Sequence, residues 1–101
     1  MLLSQQQINA INTYMQTKPV LAAYLFGSYV RGEAKKDSDI DILVELDHQK
    51  PVGLQFIQMQ IDLEHLLHNK VDLISYSGLS PYIKPIVDQE KKLIYERQVG
   101  R

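Results

Sequence analysis

YLFGSYVRGEAKKDSDIDILVEL, residues 24–46, opens as an apolar run and breaks at a Gly-Ser pair. A polar, basic segment follows. Three aspartates then arrive within five residues, at Asp37, Asp39 and Asp41, the last of them inside a second apolar run. VLAAYLF, 20–26, is short and continuously apolar, the pattern of a buried strand. DIDILVEL, 39–46, reads as a second strand. Side chains two apart on a strand share a face, so Asp39 and Asp41 project together while Ile40 and Ile42 enter the core. Two like charges side by side repel, and a cation between them reverses that cost.

The flanking sequence supplies the rest of an α/β pattern. Ser4 with Gln7 forms a capping-box signal, and Ile8, Ile11 and Met15 recur at helical spacing, predicting a helix over 5–17 that Pro19 ends. Ser28 is read as the N-cap of a short helix over 29–35. HQKPVG, 48–53, is turn material. Residues 53–68 carry a long helical pattern with a stripe at Leu54, Ile57 and Ile61, widened by Met59, Leu63, Leu66 and Leu67. VDLISY, 71–76, predicts a third strand. A last helix opens at Ser80-Pro81, or at Pro85, since an interior proline removes a helix hydrogen bond. KLIYE, 92–96, predicts a fourth strand. The expected fold is α/β (α+β): one domain over 1–101, with about four strands in a mixed or mostly parallel sheet flanked by helices.

The 101 residues are 45% hydrophobic and 23% charged, with net charge -1. This is a globular composition. Near-neutrality gives no global attraction to nucleic acid, and neither a basic stripe nor a stacking platform stands out, so no direct nucleic-acid binding is expected. Absence of cysteine excludes disulfides and thiolate metal sites. No run approaches the ~20 apolar residues of a membrane span, and the N-terminal stretch lacks a signal pattern. A cytoplasmic protein is expected.

An isolated D-x-D is more often an exposed pair on a solvated face. Asp72, between Val71 and Leu73, alternates in the same way on another strand. If the strands are neighbours, three carboxylates share one face, a site for two metal ions roughly 3.5–4 Å apart, the arrangement used for in-line phosphoryl or nucleotidyl transfer, and Mg²⁺ suits such hard oxygen donors. Upstream, a strand ending in Gly27-Ser28 and running into a helix makes an anion-binding corner. The Ser28 hydroxyl can donate to a phosphate oxygen, Arg31 adds a charged donor, and Lys35 and Lys36 add positive charge. Two other motifs fail by position. An EF-hand beginning at Asp37 needs Gly and Glu where Ile42 and His48 stand. A Walker A loop beginning at Gly27 needs Lys and Ser or Thr after Gly32, where Glu33 and Ala34 stand.

Gly27-Ser28, ten residues, then Asp39-Ile40-Asp41 resembles the signature of the DNA polymerase β-like nucleotidyltransferases. FGSYVRGEAKKDSDIDILV, 26–44, is similar to the minimal nucleotidyltransferases, or MNT domains, and VDLISY fits their third-carboxylate strand. The resemblance implies that Asp39 and Asp41 bridge two Mg²⁺ ions. Asp72 would complete one metal site and position or deprotonate the attacking hydroxyl. Gly27 and Ser28 would hold the β- and γ-phosphates of ATP, and Arg31 would contact phosphates or a partner. It also implies an antitoxin beside a HEPN-type toxin, transferring AMP to a tyrosine of that toxin. Two alternatives are an antitoxin that neutralises by binding alone and a nucleotidyltransferase acting on a small molecule.

His65 and His68 stand three apart near a helix end, where positive charge is favoured, with no third metal ligand suggested. Tyr24 and Tyr76 are expected in strands, Tyr29 beside the phosphate corner, and Lys91 and Lys92 as a solvated pair. Asp37 is assigned to the loop.

Overall fold

The computed structural model describes residues 3–35, 38–48 and 53–98. Lys36, Asp37 and residues 49–52 of the expected turn lie outside them. The elements are α1 (Gln5–Met15), β1 (Val20–Phe26), α2 (Ser28–Arg31), β2 (Ile40–Leu46), α3 (Gly53–Leu67), β3 (Val71–Ser75), α4 (Lys84–Glu90) and β4 (Lys92–Glu96), with a 3-10 turn at Tyr76–Gly78. The α/β alternation expected from the sequence is present.

Ser4 caps α1 as its sequence suggests. Its hydroxyl accepts from the Gln7 amide, and the Gln7 side chain accepts from the Ser4 amide. The last helix starts at Lys84, with Pro85 in its first turn, where a missing N–H costs nothing. Ser80 accepts instead from the Tyr82 amide within the preceding turn. Tyr76 falls in the 3-10 turn rather than in β3.

The sheet runs β3-β2-β1-β4. β1 pairs antiparallel with β2 and with β4, and only β2 and β3 are parallel. The sheet is therefore mixed, not mostly parallel. The short α2 connection turns the chain straight back beside β1, whereas α3 carries it over to a parallel neighbour.

The core lies between the sheet and the helices α1 and α3. Ile11 and Met15 of α1, Met59 and Leu63 of α3, and Ile40, Ile42 and Val44 of β2 are all within 1% of complete burial. Leu63→Ala is expected to destabilise the domain by about 2–5 kcal/mol, read as a lower denaturant midpoint at unchanged slope. The apolar stripe expected on α3 does not face the core. Met59, Leu63 and Leu67 face the core, and Leu54, Ile57 and Ile61 face outward. The polar residues between them explain the rotation. Gln60 and Glu64, one turn apart, accept hydrogen bonds from the Leu73 and Val71 amides at 3.2 and 3.1 Å. These two bonds cover amides on the outer edge of β3 and lay α3 along it.

Candidate active site

The carboxylates are brought together by strand register. Asp41 of β2 is the direct neighbour of Asp72 of β3 on one side and of Phe26 of β1 on the other. In register, Leu43 stands beside Ile74 and Tyr24, so these residues share the acidic face, opposite the helix-covered core. The sequence contains no statement of this pairing. β2 could have lain beside β3 in a different register, and one residue of slip would send Asp72 to the other face.

Asp39 stands one position before the first residue of β2, not within the strand, and is exposed. Its charge still reaches Asp41. Partial burial pushes the Asp41 carboxyl above its ordinary value, the Asp72 and Asp39 carboxylates push it further, and the Arg31 guanidinium pulls it down. Asp41 is thus the point where the acids meet.

Gly27 closes the other side of the site. Its backbone has φ 79 and ψ -148, a region essentially reserved for glycine. A Cβ here would overlap the Asp41 carboxylate oxygen. The residue therefore answers two demands together, a turn no L side chain adopts comfortably and a close approach that a side chain could share only by displacing the Asp41 carboxylate. Gly27, not Ser28, is the N-cap of α2, and Ser28 is its first residue. No side chain caps this helix start. The helix has four residues instead of the expected seven, because Gly32 adopts the left-handed conformation at its C-cap.

Tyr29 is packing rather than ligand surface. It is 4% exposed, and its hydroxyl accepts from Asn69 Nδ2 at 3.2 Å. That bond ties α2 to the turn preceding β3. Arg31 is ion-paired, with Nε 2.9 Å from Glu33 Oε1 and Nη1 3.1 Å from Glu90 Oε1. Glu90, at the end of α4, was not legible as a site neighbour, since 59 residues separate it from Arg31.

Lys91 corrects the expected solvated pair. Its ammonium lies 4.3 Å from the Tyr24 ring centroid, 4.9 Å from that of Tyr76 and 3.1 Å from Asp88 Oδ1. The Tyr76 hydroxyl donates to the same Asp88 carboxylate. This cluster seats α4 on the acidic face, where Val87 and Leu43 are also buried.

Two adjacent carboxylates with a third nearby are hard oxygen donors suited to Mg²⁺. Among the described residues, no group of three His, Asp or Glu side chains is arranged to hold a metal ion, so Asp39 is not drawn into one cluster with Asp41 and Asp72. This includes His65 and His68. Mg²⁺ characteristically completes its shell with water and phosphate, so the Asp41–Asp72 pair fits that ion with a nucleotide supplying further oxygens.

A family model described as Polymerase beta, Nucleotidyltransferase matches residues 9–99. Protein adenylyltransferase MntA of Thermococcus cleftensis is 50% identical over 66 residues, 65% of this chain and 66% of that protein. The match thus spans just under two thirds of that relative's length. A crystallised toxin-antitoxin with AMP-PNP aligns at TM-score 0.75 and 26% identity, over 90% of this chain and 74% of that one. The MNT antitoxin in a complex with a tri-AMPylated Shewanella oneidensis HEPN toxin aligns at TM-score 0.69. At 23% identity, over 94% of this chain and 74% of its own, this likeness is one of fold.

Proposed function

Because the chain belongs to the polymerase beta nucleotidyltransferase family, we propose that it is the antitoxin of a toxin–antitoxin pair. It acts in the cytoplasm and transfers AMP from ATP to a tyrosine of a HEPN-type toxin. The observation that carries this reading is the register placing Asp41 beside Asp72, with Gly27 against the same carboxylate. The adenylyltransferase relative and the AMP-PNP-bound toxin-antitoxin neighbour support the nucleotide and the partner class.

Asp39, Asp41 and Asp72 would hold two Mg²⁺ ions. When bound, the ions neutralise charge on the attacking and leaving oxygens. The chain's own groups do the remainder. The Gly27–Ser28 turn lets the β- and γ-phosphates approach the backbone, and the Ser28 hydroxyl donates to one of their oxygens. The tyrosine oxygen attacks the α-phosphorus of ATP, the bond to pyrophosphate breaks, and the phenol proton passes to Asp72. An incoming phenol can reach Asp72 because this residue is exposed on the face it shares with Asp41.

The test is incubation with a cognate HEPN-type toxin, ATP and Mg²⁺, followed by intact-mass and peptide spectrometry. Addition of adenylyl groups to a toxin tyrosine, abolished by EDTA, is expected. An unmodified toxin that is nevertheless neutralised would replace this reading with inhibition by contact alone.

A further inference from the structure

Arg31 is gripped from two directions. Glu33, two residues on, accepts from Nε at 2.9 Å, and Glu90 of α4 accepts from Nη1 at 3.1 Å, with its second oxygen at 3.5 Å. A guanidinium carries five N–H donors in a planar fork. With Nε and Nη1 engaged, Nη2 has no hydrogen-bond partner among the described residues. The group stands within electrostatic reach of Asp41. It also leaves the short helix that begins at the Gly27–Ser28 turn.

A long arginine on a solvent-facing helix loses rotamer entropy when it orders on a ligand, and prior anchoring removes part of that cost. Both carboxylates sit where they can provide it. Glu33 follows the left-handed Gly32, and its amide donates to the Ser28 carbonyl at 2.9 Å, which fixes its backbone. Glu90 is held by α4, which Lys91, Tyr24, Tyr76 and Asp88 seat on the sheet.

We infer that Glu90, seconded by Glu33, is a positioning residue that presets Arg31 so that Nη2 meets a phosphate oxygen of the nucleotide. The inference rests on the nucleotide reading above. It gives α4 a role in substrate affinity although α4 contributes no ligand to the metals or the phosphates.

A double-mutant cycle tests it, with KM for ATP and kcat measured for wild type, Glu90→Ala, Arg31→Ala and the double variant. Glu90→Ala is expected to raise KM about fivefold with kcat nearly unchanged, the upper end for an exposed ion pair. In the Arg31→Ala background the same change is expected to add nothing. Glu90→Gln should recover part of the affinity, and Glu33→Ala should weaken it without touching α4. An unchanged or lowered KM in Glu90→Ala, or an equal effect without Arg31, overturns the inference. Wild type that neither transfers AMP nor binds ATP by calorimetry would instead remove the nucleotide reading on which it stands.

Discussion

Asp41→Asn is expected to cut AMP transfer by about a thousandfold or more while the protein melts no lower than wild type. Both halves of this result follow from the Asp41 charge, which would hold Mg²⁺ and which the fold partly buries. Partial burial first, then the neighbouring Asp72 and Asp39 charges, raise the Asp41 carboxyl above its ordinary value in the folded state. A carboxyl raised on folding contributes stability that is fully present below the unfolded value and is lost as pH rises through the folded one. At neutral pH the ionised group therefore opposes folding, and asparagine removes the charge while keeping the shape. Thermal melts at pH 7 should show the variant equal to or above wild type. The gap should narrow on acidification, as Asp41 itself takes up a proton. A variant that melts below wild type at pH 7 would show that the charge is stabilising, contrary to this account.

Gly27→Ala is expected to damage both fold and activity. The backbone at φ 79 and ψ -148 costs an L residue on the order of 1–3 kcal/mol. Relaxing that strain moves the β1–α2 turn, and failing to relax it drives the new methyl into the Asp41 carboxylate. We expect a stability loss of at least about 2 kcal/mol and transfer reduced at least as far as in Asp41→Asn. Denaturant unfolding and the same mass assay would check it. A Gly27→Ala protein with wild-type transfer would mean that the phosphates do not depend on this close approach. The contrast with Gly32 sharpens the test. That residue also has positive φ, but a Cβ there meets nothing within 4 Å, so Gly32→Ala carries only the conformational cost.

Much of this site is legible in residues 24–46. The alternation of Asp and Ile, the Gly-Ser break and the short interval between them are local features, and local features survive folding. Ser4 and Gln7 announced their capping box for the same reason. The errors have a common origin as well. Leu54, Ile57 and Ile61 resemble a core stripe by spacing, yet Gln60 and Glu64 had to reach the β3 amides, and that requirement turned the helix. Lys91 and Lys92 look alike in sequence. Only the placement of Tyr24 and Tyr76 separates them, drawing Lys91 between two rings and leaving Lys92 exposed.

The chain's linear order supplies the candidates for chemistry, because residue type and short-range periodicity settle which side chains are carboxylates, turns and core. Tertiary structure decides which of them meet. The parallel register that sets Asp72 against Asp41 and the packing of α4 that carries Glu90 to Arg31 join residues 31 and 59 positions apart. No local signal encodes such distances. They follow from burying one face of a mixed sheet under α1 and α3, which leaves the acidic face, and the end of α4, as the surface where the charges gather.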